Sequence, residues 1–142
     1  MQRKAKTKPR FDVILADREP QVRSALEVLF IDRVGIGQIN EASNTNQVIA
    51  CIAQSCPALL LIDWNLPGQA LDSLMPVIKM ICPKLYVVAI SDWDGDCQHA
   101  LMAGADAFIC KYDPPDLLMA IVDDLLDNSA SVRNRVAITY KE

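Results

Sequence analysis

The sequence predicts an α/β domain built on a doubly wound, five-stranded parallel sheet. Three observations indicate this fold class. Short apolar runs alternate along the chain with segments of helical periodicity, no Gly/Ser-rich linker or internal repeat interrupts them, and several apolar runs end on a polar residue. Strands that alternate with helices form parallel sheets with right-handed crossovers and helices on both faces.

The first part of the chain predicts two strands and two helices. Residues 11–16 form an apolar run that indicates a strand buried on both faces. Pro20 suits the first turn of the following helix, which Gly35 and Gly37 end. Residues 38–42 predict a weak outer strand. Asn44 can cap a helix that runs through residue 56.

The second part continues the alternation with stronger signals. Residues 58–63 are apolar up to Asp63 and give the strongest strand prediction, and a Leu-Pro-Gly turn follows at residues 66–68. The remaining predicted elements are a helix over roughly 70–81, a strand over 84–91, a short helix over 97–103, a strand over 107–111 and a helix over 113–127.

Positive and negative charges are unevenly distributed. Residues 1–10 hold five of the fourteen Lys and Arg residues and no acid, which leaves nine basic and eighteen acidic residues elsewhere, a net charge of −9. Nucleic-acid phosphates require Lys and Arg contacts, so we expect no direct nucleic-acid binding by the acidic domain. We interpret the basic arm as a solvated terminus, with contact to an acidic partner or DNA as the alternative.

Length and patterning predict the organisation of the 142-residue chain. We expect a basic N-terminal arm at 1–10, one folded domain at 11–127 and a tail at 128–142 that is too short for a second DNA-binding domain. No apolar run suits a membrane span or a secretory signal, so a cytoplasmic location without membrane contact is expected. In that compartment the five cysteines should be free thiols, and no CxxC spacing suggests zinc or a redox pair.

Reactive side chains close four of the predicted strands. Asp17 follows the first strand, Asp63 ends the third, Ser91 ends the fourth and Lys111 ends the fifth. The carboxyl ends of parallel strands meet at one edge of the sheet, where ligands bind beside the point at which strand order reverses. We therefore expect these four side chains to converge in one pocket, with Lys111 within ion-pair distance of Asp63.

Four short motifs lie at these strand ends: ADREP at 16–20, IDWNLPG at 62–68, AIS at 89–91 and AGADAFICK at 103–111. Each is weak alone. All four in this order resemble the receiver domain of bacterial two-component response regulators, over residues 11–127. The resemblance implies the flavodoxin-like receiver fold, with strand order 2-1-3-4-5.

The resemblance also implies roles for individual residues. Asp63 matches the phosphoacceptor, and Lys111 matches the lysine that pairs with it and later with a phosphoryl oxygen. Ser91 matches the hydroxyl residue that hydrogen-bonds the phosphoryl group, and Phe108 matches the aromatic residue whose rotamer reports the active state. A carboxylate that attacks a negative phosphoryl group needs positive charge nearby, which the receiver family supplies with Mg²⁺.

The implied metal ligands are Asp17, Asp63 and the backbone carbonyl of Asn65. The family usually has a second acid directly after the first strand, and here that position is Arg18. This exchange replaces a negative ligand with a positive group beside the cation site. We expect weak Mg²⁺ binding, with the Arg18 guanidinium turned toward Asp17 or Asp63.

Each site residue also has a purely structural interpretation. Asp17 could cap the helix that opens at Pro20, Asp63 could cap the turn that follows it, and Ser91 could be an ordinary strand-end hydroxyl. Phe108 taken alone fits a core residue, and Lys111 fits a surface lysine beyond its strand. The site interpretation is preferred because the structural one requires five coincidences.

Two further departures from the family pattern concern the last third of the chain. Tyr112 follows Lys111 where the family commonly has proline, so a cis peptide is not expected there. The stretch from Ser91 to Lys111 is about two residues shorter than the family pattern implies, which predicts a shortened fourth helix. Trp93 is a candidate exposed contact in the preceding loop.

Three functions compete at this point. The first is a receiver in a phosphorelay that accepts a phosphoryl group on Asp63 from a sensor histidine kinase. It would signal to a downstream protein or a second copy of itself through the face made by the fourth helix, fifth strand and last helix. The alternative is a pseudo-receiver that binds proteins without phosphorylation, which Arg18 favours. An enzyme of the haloacid-dehalogenase type is disfavoured, because Asn65 stands where its general acid would be.

Overall fold

Residues 10–127 are described by a computed structural model, and they form alternating strands and helices around one parallel sheet. The sheet order is β2-β1-β3-β4-β5 and every neighbouring pair is parallel, which confirms the predicted fold class and topology. The elements are β1 Phe11–Ala16, α1 Pro20–Ile31, β2 Ile36–Ala42, α2 Thr45–Gln54, β3 Leu59–Asp63, α3 Leu71–Ile81, β4 Tyr86–Ser91, α4 Asp96–Ala103, β5 Ala107–Cys110 and α5 Pro115–Asp127.

The predicted arm at 1–10, except for its last residue, and the predicted tail at 128–142 lie outside the described residues. Within residues 10–127, no helix is both long and apolar enough to cross a membrane.

The predicted boundaries differ from the observed ones by about two residues at the starts of β2, β4 and α5 and at the end of α2. Gly37 was expected to end α1 but lies within β2, where a Cβ atom would come within 2.4 Å of Asp12 Oδ1. The helix predicted to run through residue 56 ends at Gln54, and Ser55 is already extended. Pro57 accounts for the non-helical backbone of Cys56, since a proline disfavours helical backbone in the residue before it.

The core lies on both faces of the sheet because successive side chains of a strand point to opposite sides. One face packs against α2, α3 and α4, and the other against α1 and α5. The first cluster includes Ile14, Leu60, Ile62, Val87, Ala89 and Phe108, and the second includes Val13, Leu15, Leu59, Leu61, Val88 and Ile109. β3 is buried along its whole length, which explains why its sequence is apolar up to Asp63.

The loop that follows β3 is held against the start of α2. Thr45 donates its backbone N–H to the Pro67 carbonyl at 2.9 Å, and its Oγ1 accepts the Gln69 N–H at 3.0 Å. Gly68 has φ +122°, and a Cβ there would lie 2.0 Å from Thr45 Oγ1. Glycine is therefore required both by the backbone angle and by the close approach. These contacts fix the chain just after Asp63.

A disulfide joins Cys56, beyond the end of α2, to Cys82, at the end of α3. The Cα atoms are 5.6 Å apart although the residues are 26 positions apart in sequence. The prediction of five free thiols is therefore wrong for this pair, whereas Cys51, Cys97 and Cys110 form no disulfide within the described part of the chain. The pair was missed because the parallel crossover from α2 to α3 brings the two helix ends together, and no CxxC spacing marks this contact.

We expect the disulfide to raise thermal stability, because it closes a loop that contains β3 and α3. Loop-closure entropy predicts about 3 kcal/mol, which corresponds to roughly 10 °C in Tm. Thermal unfolding followed by circular dichroism, with and without a thiol reductant, measures the effect. The control is Cys56→Ser at the exposed end of the bond, which should unfold at the lower temperature in both conditions. A wild-type Tm that does not respond to reductant would contradict the prediction.

Candidate functional site

Two acidic residues and one lysine meet at the carboxyl edge of the sheet. Asp17 directly follows β1, Asp63 ends β3, and Lys111 directly follows β5. Lys111 Nζ lies 3.0 Å from Asp17 Oδ2 and 3.5 Å from Asp63 Oδ2. Asp17 is only 2% exposed and Asp63 only 3% exposed. One ammonium group therefore bridges two buried carboxylates.

The other oxygen of each carboxylate accepts a hydrogen bond from the backbone two residues later. Asp17 Oδ1 accepts the Glu19 N–H at 2.9 Å, and Asp63 Oδ1 accepts the Asn65 N–H at 2.9 Å. Asp and Asn side chains commonly form such local turns. The capping interpretation is correct as geometry for Asp63, whereas Asp17 bonds the turn before α1 and does not cap that helix, whose N-cap residue is Glu19. These bonds are compatible with a shared site because the second oxygen of each acid pairs with Lys111.

Burial and the neighbouring charges shift the proton equilibria of this pocket. The pKa of Asp63 is raised, chiefly because burial disfavours the charged carboxylate, and the nearby Asp17 charge acts in the same direction. The Asn65 N–H and Lys111 oppose this rise without cancelling it. Burial lowers the pKa of Lys111, but the hydrogen bond to Asp17 and the charges of both acids outweigh it, so that pKa is raised.

Ser91 lies at the same edge, but its hydroxyl is bonded within the loop that leads to α4. Ser91 Oγ donates to Asp96 Oδ2 at 2.6 Å and accepts the Trp93 backbone N–H at 3.1 Å. The structure thus brings Asp17, Asp63 and Lys111 into direct contact and places Ser91 in a separate pair with Asp96. The sequence analysis does not identify Asp96 as a partner of Ser91. The one feature that could have indicated it is an acid in the first turn of the helix that follows Ser91.

Phe108 is fully buried on the face of β5 that packs with Ala89 and Ala100. Its ring belongs to the core between the sheet and α4, as the structural interpretation expects. A role as a switch stays a prediction, since one conformation is described.

Arg18 does not occupy the pocket, which corrects the expectation that its guanidinium turns toward Asp17 or Asp63. Its side chain is exposed, and both acids pair with Lys111 instead. Arg18 immediately follows Asp17, and successive residues of extended chain face opposite sides. The guanidinium beside Asp17 belongs to Arg23, whose Nη1 donates to the Asp17 carbonyl at 2.6 Å and whose Nε pairs with Glu41 at 2.7 Å. Its position one turn into α1 is not evident from the sequence motif.

The residues present fit the implied Mg²⁺ only in part. Between residues 10 and 127, no three His, Cys, Asp or Glu side chains are grouped so that they could hold a metal ion. Asp17 and Asp63 offer two carboxylates, and both are paired with the Lys111 ammonium. An octahedral Mg²⁺ site built on two carboxylates would rely on backbone and water oxygens for its other ligands.

The raised pKa of Asp63 predicts a pH-dependent effect of Asp63→Asn on stability. The carboxyl of Asp63 has its ordinary pKa of 3.8 in the unfolded chain and a higher pKa in the folded protein, so its protonated form favours folding. This contribution to the free energy of unfolding is fully present below pH 3.8 and is lost as pH rises through the pKa of the folded state. Asparagine does not titrate, so the gain in unfolding free energy from Asp63→Asn should be larger at neutral pH than below the ordinary pKa. Lys111 stays charged throughout this range and does not alter the sign.

Urea unfolding of both proteins across this pH range measures the difference. Asp116→Asn, at an exposed position on α5, makes the same chemical change outside the pocket and should show no such trend. A stability gain from Asp63→Asn that stays constant with pH would contradict the interpretation.

Comparison with known proteins agrees with this geometry. A family profile described as the response regulator receiver domain matches residues 13–123. The nitrate/nitrite response regulator protein NarL of Escherichia coli is 32% identical over 114 residues, which is 77% of this chain and 52% of NarL. The phosphate regulon transcriptional regulatory protein PhoB of Pseudomonas aeruginosa is 31% identical over 113 residues, 76% of this chain and 48% of PhoB.

Solved structures show the same fold at lower identity. A two-component response regulator of the LuxR family from Aurantimonas superposes with a TM-score of 0.75 at 19% identity, covering 94% of this chain and 99% of that one. RcsB from Salmonella typhimurium gives 0.76 at 18% identity, covering 89% and 66%. The chain spans about half the length of the curated relatives it matches. From the strand-end pocket and the family match together, this chain belongs to the response regulator receiver domain family.

Proposed function

We propose that Asp63 accepts a phosphoryl group from a sensor histidine kinase and that the domain thereby acts in a phosphorelay. The observation that carries this proposal is the buried Asp63 carboxylate with Lys111 Nζ at 3.5 Å and Asp17 on the other side of the ammonium. An Asp63 oxygen would attack phosphorus, the nitrogen–phosphorus bond of the phosphohistidine would break, and the histidine nitrogen would keep the bonding electron pair.

Lys111 is the residue that makes such an attack electrostatically feasible. Its raised pKa keeps it charged at neutral pH, and it already neutralises part of the charge of the two acids. As a phosphoryl group forms on Asp63, the ammonium can move from the carboxylates to a phosphoryl oxygen without leaving the pocket. Receiver domains generally bind Mg²⁺, which supplies further positive charge when bound. In this chain Asp17, Asp63 and the Asn65 carbonyl would hold the ion.

The signalling surface proposed for this domain is the α4-β5-α5 face. Met102 on α4, Tyr112 beyond β5 and Leu117 on α5 are exposed apolar or aromatic side chains of these elements. Exposed apolar groups of this kind suit contact with another protein. We propose either a downstream protein or a second copy of the domain as the partner.

The whole protein is proposed to be a transcriptional regulator whose receiver controls a DNA-binding output domain. One similar structure is described as of the LuxR family, and RcsB is described in DNA interaction. The net negative charge of the receiver itself favours DNA contact through the other domain. A cytoplasmic location stays a prediction.

The pseudo-receiver alternative loses its main support. It rests on Arg18 standing in place of a metal-ligand acid, and Arg18 is exposed and leaves both pocket acids to Lys111. The domain is a signalling protein whose only expected chemistry is transfer of a phosphoryl group to and from its own aspartate.

We predict that acetyl phosphate or a phosphorylated kinase will add one phosphoryl group to the wild-type domain. Asp63→Asn should abolish the addition, because the amide is not a nucleophile for this transfer. Intact-mass spectrometry measures it, and Asp116→Asn serves as the matched control. Equal phosphorylation of the Asp63→Asn protein would overturn the assignment of the acceptor.

Arg18→Asp should raise Mg²⁺ affinity about tenfold, since it replaces an exposed positive charge near the pocket with a negative one. Arg18→Ala removes the positive charge without adding a negative one and should have a smaller effect in the same direction. Isothermal titration with Mg²⁺ compares the three proteins. If wild type and Arg18→Asp bind equally well, then Arg18 has no influence on the cation site.

A further inference from the structure

The Ser91 hydroxyl already has two hydrogen-bond partners, and both lie in the loop and helix that follow it. It donates to Asp96 Oδ2 and accepts the Trp93 N–H. Ser91 is fully buried, and a serine hydroxyl has only one proton to donate. It can therefore donate to a phosphoryl oxygen on Asp63 only after it releases Asp96.

The backbone of Ser91 is fixed from both sides by the strands that carry the pocket. Ile90 lies opposite Asp63 in the sheet register, and the Ile90 carbonyl accepts the Trp64 N–H at 2.8 Å. The Ser91 carbonyl accepts the Lys111 N–H at 2.7 Å. A change of hydroxyl partner is consequently a rotation of the Ser91 side chain and requires no shift of β4.

We propose that Asp96 is a positioning residue that retains the Ser91 hydroxyl at the start of α4 and opposes its engagement with a phosphoryl group. The inference rests on the proposed phosphorylation of Asp63. Asp96 acts through Ser91 and touches no reacting atom. Breaking this bond is then a step of activation, and removing Asp96 makes the activated state easier to reach.

The Ser91–Asp96 bond also sets the shape of the loop between β4 and α4. Asp96 is the first residue of α4, and Trp93 is tied to the same hydroxyl through its N–H. The Trp93 ring lies so close over Gly95 that a Cβ there would be 2.2 Å from a ring atom. Release of Ser91 removes its bonds to the Trp93 N–H and to Asp96, and the start of α4 then keeps only backbone bonds such as that from the Asp96 N–H to the Trp93 carbonyl. This loop joins the pocket to the proposed signalling face.

Two opposing effects decide where the hydroxyl binds. A carboxylate acceptor gives a strong, charge-assisted hydrogen bond, and its place in the first turn of α4 is favourable for a negative charge. A phosphoryl group on Asp63 offers a competing anionic acceptor across the pocket. The position of this equilibrium therefore depends on Asp96 and its charge.

Beryllofluoride, a mimic of a phosphoryl group on aspartate, provides the test. Its affinity is measured by titration with Mg²⁺ present for wild type, Asp96→Ala, Asp96→Asn, Ser91→Ala and the Ser91→Ala/Asp96→Ala double variant. Emission from Trp93, which is 63% exposed, reports the loop when all proteins also carry Trp64→Phe, because the second tryptophan directly follows Asp63. Asp92→Ala is the matched control, because it removes an exposed acid from the same loop. Circular dichroism establishes that each variant is folded.

We expect Asp96→Ala to bind beryllofluoride at least about tenfold more tightly than wild type, in line with the loss of one charge-assisted hydrogen bond. Asp96→Asn keeps an uncharged acceptor, so its beryllofluoride affinity should lie between those of wild type and Asp96→Ala. It replaces Asp96→Ala in the test if that variant does not fold. Asp92→Ala should match wild type. In the Ser91→Ala background, loss of Asp96 should change nothing, because the effect acts through the hydroxyl.

Two results would overturn the inference, and they are distinguishable. In the first, wild type and the Asp96 variants bind beryllofluoride equally well, or the effect of losing Asp96 persists without the Ser91 hydroxyl. Asp96 then has no positioning role, and the proposed function is unaffected. If none of the proteins binds beryllofluoride, the proposed phosphorylation of Asp63 fails and the role of Asp96 fails with it.

Discussion

The Lys111 ammonium between Asp17 and Asp63 is the interaction on which the rest of the site depends. Two carboxylates buried side by side repel each other and lose hydration, and one neighbouring cation offsets both costs only in part. The raised pKa of Asp63 results from this incomplete compensation. The pocket therefore lowers the stability of the fold but favours reaction at Asp63. A phosphoryl group on Asp63 would draw Lys111 closer and so improve the compensation of charge.

The sheet makes this arrangement possible. β1, β3 and β5 deliver the two acids and the lysine to one edge because all strands are parallel, and the apolar cores on both faces hold the strand ends in place. The loops are equally constrained. The Asn65 N–H orients Asp63, and the contact of Gly68 with Thr45 directs the chain away from the pocket. The carboxylate of Asp63 is thus positioned by backbone contacts as well as by its charge partner.

The resemblance to receiver domains implied the strand order, and the parallel α/β pattern predicted the meeting of Asp17, Asp63 and Lys111, because such a fold determines where strand ends lie. Sequence reasoning failed for contacts that depend on side-chain direction or on packing between helices. Arg18 faces solvent although its charge suggested a place in the pocket, and the ammonium already present there is Lys111. The Cys56–Cys82 bond and the Ser91–Asp96 pair each join segments whose approach is set by helix geometry, which residue types and spacing do not reveal.

The central claim is that Asp63 is the phosphoacceptor of a receiver domain, and the most direct test is to locate the acyl phosphate chemically. After incubation with a phosphorylated histidine kinase, reduction with borohydride converts an aspartyl phosphate to homoserine, and peptide mass spectrometry identifies its position. The account predicts homoserine at position 63 and unmodified aspartate at position 17. Homoserine at another aspartate, or a phosphorylated protein in which Asp63 is unchanged, would contradict it.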